Sequence, residues 1–231
     1  NKYQAIAEML NTRKSDRVLE IGCGWGGFSE YIAKLVDVQI DGLTLSKEQL
    51  AFANARYRDA GLEKQATASY TDYRDSTGQY DKIVSIEMFE AVGEANWDTY
   101  FQTLHERLVP GGTAILQVIT IENKRFQTYR KNTDFIQRYI FTGGFLPSPE
   151  ALEVAVIRNG LSLQRSHFFG PSYAETCAIW NKQFQHAWPK IEKIGYTSNF
   201  KRMWEYYLSY CEAGFKAGCV DVGLFKIVKP A

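Results

Sequence analysis

Cysteine is scarce and unpatterned in this sequence. Its four residues, Cys23, Cys177, Cys211 and Cys219, match neither a zinc knuckle nor a C-x-x-C pair. That excludes a thiolate metal site and a dithiol redox motif, and it suits a reduced cytoplasm. Histidine is rarer still: His105, His167 and His186 show no metal-ligand spacing. No run of about 18 apolar residues is present, which excludes a spanning helix. The N-terminus lacks the basic-then-apolar layout of a secretory signal, so export is not expected. Excess charge is missing too. Against 27 Lys and Arg stand 26 Asp and Glu, a net +1 that gives no global pull toward nucleic acid or acidic membranes. Repeats and low-complexity tracts are also absent. The chain starts at Asn1, not Met, and runs straight into the helix-like stretch 3–10, so a missing upstream segment is expected.

What is present suits one α/β domain over residues 1–231, with 45% hydrophobic residues and no room for a second large domain. The first half alternates strands with amphipathic helices, the pattern of a Rossmann-like, mostly parallel sheet. Strands are expected at 17–21, 38–43, 66–70, 82–86 and 113–119, the last entered through a turn at Pro110-Gly111-Gly112. Ser46 reads as the cap of a helix that ends near Gly61. Two closing strands, 161–169 and 220–228, bring the count to seven and form an antiparallel edge. Helical insertions are expected over about 121–149 and 170–218. In the second, Phe200, Met203, Trp204, Tyr207, Leu208, Cys211 and Phe215 share one helix face, either packed on the domain or in contact with lipid.

The chemistry begins at Glu20-Ile-Gly22-Cys-Gly24-Trp25-Gly26-Gly27, a glycine loop between a strand end and a helix start. Such a loop lets backbone approach a nucleotide-like cofactor closely. Gly22, Gly24 and Gly27 also satisfy the dinucleotide fingerprint G-x-G-x-x-G. The acid two residues before the first glycine suits a cofactor bearing an α-amino group. The dense glycines with Trp25 make a broad loop, and together these features favour S-adenosylmethionine. Asp41, Thr44 and Gln49 stand at the end of the second strand, where ribose hydroxyls are held. Asp72 and Tyr73 follow the third, where adenine is expected, although Asp72 also reads as a turn residue.

Residues 18–27, Gly42-Leu-Thr-Leu-Ser46, Ile83-Val-Ser-Ile-Glu-Met-Phe-Glu-Ala-Val-Gly93, residues 138–144 and Leu146-Pro-Ser148 together resemble the cyclopropane-fatty-acyl-phospholipid synthase family, which includes the mycolic acid methyltransferases. The similarity runs over nearly the whole chain. It implies an S-adenosylmethionine-dependent methyltransferase acting on the double bond of unsaturated phospholipid acyl chains, working in the cytoplasm at the inner membrane face. The product implied is a cyclopropane or a methyl- or methylene-branched chain. By the same resemblance Glu90 holds a small anion, bicarbonate, near the reacting carbons. Tyr173 and the backbone of Ile119 match further family positions, and Tyr139 offers a ring face to a carbocation. Gln117 stands where the typical synthase has histidine, which counts against bicarbonate use. No metal is implied. Glu90 also reads as a helix-start acid, Tyr173 as a capping aromatic and Tyr139 as core. Two further readings stay open: an amine N-methyltransferase, because plant N-methyltransferases share the Ser-Ile-Glu-Met-Phe-Glu pattern, and a binding protein that retains the cofactor fold without catalysis, because Gln117 departs from the family site.

Overall fold

The computed structural model describes residues 2–231, Arg165 by its backbone alone. One seven-stranded sheet runs through the fold in the order β3-β2-β1-β4-β5-β7-β6. Its strands are β1 (Arg17–Ile21), β2 (Gln39–Thr44), β3 (Ala66–Tyr70), β4 (Tyr80–Ile86), β5 (Leu108–Ile121), β6 (Ser162–Phe168) and β7 (Val220–Val228). The four pairings from β3 across to β5 are parallel. Val18, Leu19, Glu20 and Ile21 are all buried, as expected of a central strand covered on both faces. The helices are α1 (Lys2–Leu10), α2 (Gly27–Leu35), α3 (Lys47–Asp59), α4 (Trp97–Arg107), α5 (Asn123–Tyr129), α6 (Phe135–Tyr139), α7 (Pro149–Arg158), α8 (Gly170–Lys193) and α9 (Ser198–Lys216). Contacts divide the chain into two compact units. The first runs to Val118 and adds Glu150–His167 and Leu224–Ala231; the second holds Ile119–Pro149 and Phe168–Gly223.

Local chemistry explains the element ends. Ser46 caps α3, its side chain accepting the Gln49 N–H at 3.2 Å. The far end closes at Gly61, whose φ of 69° is left-handed. There the Leu62 N–H reaches the Tyr57 carbonyl at 2.8 Å and the Gly61 N–H reaches that of Arg58 at 2.9 Å, the paired bonds of a Schellman stop. Midway along α3, Asn54 answers the outer edge of β3. Its Nδ2 donates to the Ala68 carbonyl at 3.0 Å, and its Oδ1 accepts the Ala68 N–H at 2.9 Å. In the second unit the α8 start is held by Asp221, whose carboxylate accepts the Gly170 N–H at 2.8 Å.

The expected turn at Pro110-Gly111-Gly112 lies inside β5 instead. Pairing with β4 jumps from Tyr80↔Leu108 to Lys82↔Thr113, so the extra residues form an irregularity in one long strand. Lys229 explains this, because its carbonyl accepts the Gly111 N–H at 2.9 Å and its N–H donates to Gly112 at 3.1 Å. At the other end of β5 the Glu122 N–H donates to the Cys219 carbonyl at 3.0 Å. Partner numbers fall along one chain as they rise along the other, so β7 runs antiparallel to β5. The expected antiparallel edge therefore holds, with β7 inside and β6 outermost.

Beyond β4 the chain turns through Phe89–Ala91 on an aromatic anchor. The buried Phe89 ring lies 5.4 Å from Trp97, 5.1 Å from Tyr100 and 5.3 Å from Phe101. Phe89→Ala should therefore cost about 3–5 kcal/mol of stability, the range for truncating a buried aromatic. It should appear as a lower denaturant midpoint with unchanged slope. An unshifted midpoint would show that the turn does not depend on this ring.

Candidate active site

In parallel sheets, ligands bind beyond the strand ends where the chain order reverses, here between β1 and β4. The loop after β1 is built for close approach. Gly22 (φ 80°) and Cys23 donate their N–H groups to the Leu43 carbonyl at 3.0 and 2.8 Å, stitching the loop to β2. Gly24 has a φ of 55°, and a Cβ placed there would meet no protein atom within 4 Å. Its backbone thus faces open space in a conformation that glycine adopts readily. Gly26 and Gly27 have the opposite reason to lack a side chain: a Cβ would lie 2.8 Å from the Tyr57 ring at Gly26 and 2.6 Å from the Tyr3 hydroxyl at Gly27. Trp25 projects outward, 53% exposed, its ring edge-on to Phe52 at 5.2 Å.

Glu20 ends inside the protein, only 2% exposed, accepting a short hydrogen bond from the Ser29 hydroxyl. Burial pushes its carboxyl up to about 8, and the Ser29 bond opposes that only in part. The same environment pushes the Cys23 thiol up to about 12, mainly by burial and then by Glu20. Tyr57 is raised further, first by burial. The neighbourhood therefore favours a proton, or another positive group, on Glu20.

The other cofactor candidates flank this loop. Thr44 is buried at the end of β2, its Oγ1 donating to Gln49 Oε1 at 2.8 Å and accepting the Ser46 N–H at 3.1 Å. Asp41, ranked beside them from sequence, is engaged elsewhere. Its carboxylate accepts the Tyr80 hydroxyl at 2.9 Å and pairs with Arg17 at 3.6 Å. Asp72 caps the short turn Tyr73–Asp75 and is bound by Arg74 Nε and Nη2 at 2.9 and 2.6 Å, which hold its carboxyl below the usual carboxylate range. Both its sequence readings therefore remain compatible. Tyr73 stacks edge-on to Tyr100 at 5.4 Å, and burial raises its hydroxyl.

Of the reaction candidates, Glu90 and Gln117 lie in the first unit. Glu90 sits half-buried on the turn anchored by Phe89. Gln117, on β5 and 1% exposed, donates its Nε2 to Glu87 Oε1 at 2.6 Å. Ile119 and Tyr173 lie in the second unit, each packed against the cluster Ala174, Cys177, Phe215 and Val222. The Tyr173 ring is 5.7 Å from Phe169 and 5.5 Å from Phe215. Tyr139 stands apart from that cluster, 57% exposed on α6, with its ring 5.4 Å from Phe135. Sequence reading missed Ser29, Tyr3 and Tyr57 around Glu20, and Glu87 beside Gln117. Glu87 lay within a quoted motif, but nothing in its residue type marked its backbone.

A glycine loop at the switch point, an inward acid before it and polar groups at the next two strand ends define the class I S-adenosylmethionine-dependent methyltransferase fold. The chain belongs to the mycolic acid cyclopropane synthetase family, whose model matches residues 1–225. It is 37% identical to the tuberculostearic acid methyltransferase of Mycobacterium tuberculosis, over 99% of this chain and 53% of that protein. To the cyclopropane-fatty-acyl-phospholipid synthase of Escherichia coli K12 it is 39% identical, over 98% of this chain and 56% of that one. The chain thus spans a little over half the length of these relatives. Among solved structures, a mycolic acid cyclopropane synthase crystallised with SAH and CTAB is similar at a TM-score of 0.91 and 26% identity, over 99% of this chain and 83% of that one. The cyclopropane synthase MmaA2 from Mycobacterium tuberculosis matches at a TM-score of 0.90, with the same identity and coverage.

The Glu20 environment sets a pH dependence. Between about 4.5 and 8 the folded protein keeps a proton that the unfolded chain releases, so stability should fall as pH rises through that window and level off above it. The slope from this group should reach about 1.4 kcal/mol per pH unit. Glu20→Gln should remove that component in melts of the ligand-free protein. An identical slope in the variant would place the linkage elsewhere.

Proposed function

We propose that the protein is a C-methyltransferase acting on the double bond of unsaturated phospholipid acyl chains, giving cyclopropane or methyl- or methylene-branched products. The observation that carries this reading is the family match over residues 1–225, joined to a glycine loop whose open backbone at Gly24 and buried Glu20 fit S-adenosylmethionine. Glu20, Gly22, Gly24, Trp25 and Gly26 are assigned to its amino-acid end, Thr44 and Gln49 to its ribose, and Asp72 and Tyr73 to its adenine. Bound there, it supplies an electrophilic methyl group. Glu20 needs a positive partner to ionise, which an α-ammonium group provides. Both curated relatives named above take their names from lipid products, which favours an acyl chain over an amine acceptor.

Glu90 is assigned to hold polar groups at the reacting centre, its turn fixed by the Phe89 anchor. The roles given to Ile119, Tyr173 and Tyr139 rest on the resemblance. Gln117 holds its amide nitrogen against Glu87, which supports a reaction that proceeds without bicarbonate. A membrane-surface acceptor, at the cytoplasmic face by the resemblance, is supported by the rings that the second unit exposes, Tyr139, Phe141, Tyr206 and Tyr210. No helix among the described residues is long and apolar enough to cross a membrane.

Incubation with methyl-labelled S-adenosylmethionine and vesicles of unsaturated phospholipid should place label in the extracted acyl chains. Label confined to an added amine would transfer the protein to the N-methyltransferase reading. Label in neither would leave a cofactor-binding fold without this activity.

Glu90→Gln should lower turnover by about 100-fold or more, the scale of a positioned acid-base group. Calorimetry should meanwhile find S-adenosylhomocysteine affinity unchanged. Normal turnover in the variant would make Glu90 a helix-start acid without chemical duty.

A further inference from the structure

Immediately beyond β4 stands Glu87, with a φ of 53°. Few residues bearing a Cβ adopt that left-handed conformation, and those that do are held there by their surroundings. Gln117 holds this one from two directions. The Glu87 N–H donates to the Gln117 carbonyl at 2.9 Å, and Gln117 Nε2 donates to Glu87 Oε1 at 2.6 Å. The second bond orients the amide, nitrogen toward Glu87 and oxygen away from it. The pair therefore unites a buried amide with an exposed glutamate just past the end of β4. Its position beside the cofactor loop is fixed by the next residue. A Cβ on Gly22 would lie 3.1 Å from Met88 Cγ, so the chain after β4 touches the glycine loop.

We propose that Glu87 is a specificity-determining residue, whose carboxylate, fixed by Gln117, makes this end of the crevice select positive character in the acceptor and repel small anions. The inference rests on the methyl-transfer reading. An alkene that has accepted a methyl group carries a positive charge where none existed before. A carboxylate fixed in advance favours that charge without having to reorganise. The left-handed backbone and the two bonds to Gln117 together keep the carboxylate at the strand end. A second anion at the same place would be opposed by like charge.

Three amphiphiles of equal chain length serve as probes: one ending in a quaternary ammonium, one in a hydroxyl and one in a sulfate. Calorimetry in the presence of S-adenosylhomocysteine should find the native enzyme binding the ammonium form about tenfold more tightly than the hydroxyl form, a modest share of one unscreened charge pair. The sulfate form should bind most weakly. Glu87→Gln, which can still accept the Gln117 hydrogen bond, and Glu87→Gly, which relaxes the backbone, should both abolish the ammonium preference and leave the hydroxyl form unchanged. On phospholipid vesicles, Glu87→Gln should lower kcat with KM unchanged and make turnover responsive to added bicarbonate, to which the native enzyme should be indifferent.

Equal affinity of the native enzyme for the ammonium and hydroxyl forms would overturn the proposal, and that comparison needs no variant. Bicarbonate-dependent turnover by the native enzyme would overturn it as well. Absence of label from lipid would instead defeat the methyl-transfer reading, while the amphiphile series would still report the charge preference.

Discussion

Parallel pairing of β1 with β4 sets the geometry on which the candidate site depends. Val18, Leu19 and Glu20 face Lys82, Ile83 and Val84 in register, and the two strands end side by side where the sheet order reverses. That register decides which loop residues meet. The glycine loop after Ile21 and the Glu87–Glu90 segment after Ile86 are brought together by it, with Met88 against Gly22. A slip of two residues would keep every side chain on its face yet move the segment by roughly 7 Å. The buried run from Val18 to Ile21 resists such a slip, because central parallel strands gain stability from both faces.

Glu20 carries the electrostatic consequence of that arrangement. A carboxylate kept in the interior by the packing of its own strand is stabilised by one hydroxyl, Ser29, and its raised carboxyl shows that one hydrogen bond is insufficient. Without a ligand the carboxyl keeps its proton below about pH 8, and a positive group beneath the loop would take that proton's place. Preorganisation of this kind reduces ligand-free stability in return for affinity. At the adjacent strand end, the Gln117 amide holds a second carboxylate, that of Glu87, in a set orientation.

Much of this was legible in the residues themselves, and for definite reasons. Glycine at 22, 24 and 26 marks positions of positive φ, Ser46 marks a helix start, and Gly61 marks a stop; each is a local rule that the structure obeys. The mostly parallel, Rossmann-like class followed from the alternation of strands and helices. The illegible parts were decided by partners distant in sequence. Asp41 looked like a ribose ligand by its place on β2, but Tyr80, 39 residues later, claims its carboxylate. Pro110-Gly111-Gly112 reads as a turn, yet Lys229 from the end of the chain supplies the hydrogen bonds that keep it in the sheet. Glu87 belongs to the same class, since its left-handed backbone is imposed by Gln117, thirty residues on, and no propensity announces it.

Asn54 has an effect that reaches beyond the single molecule. By answering both the N–H and the carbonyl of Ala68 with one side-chain amide, it occupies the hydrogen-bonding positions that an incoming strand would use on the flank of β3. Proteins that gather on a lipid surface meet one another far more often than in bulk water. Under such crowding an unanswered strand flank is where two copies zip together and precipitate. On this flank the amide engages both groups of the middle residue, so an incoming strand would find that rung of the ladder already taken.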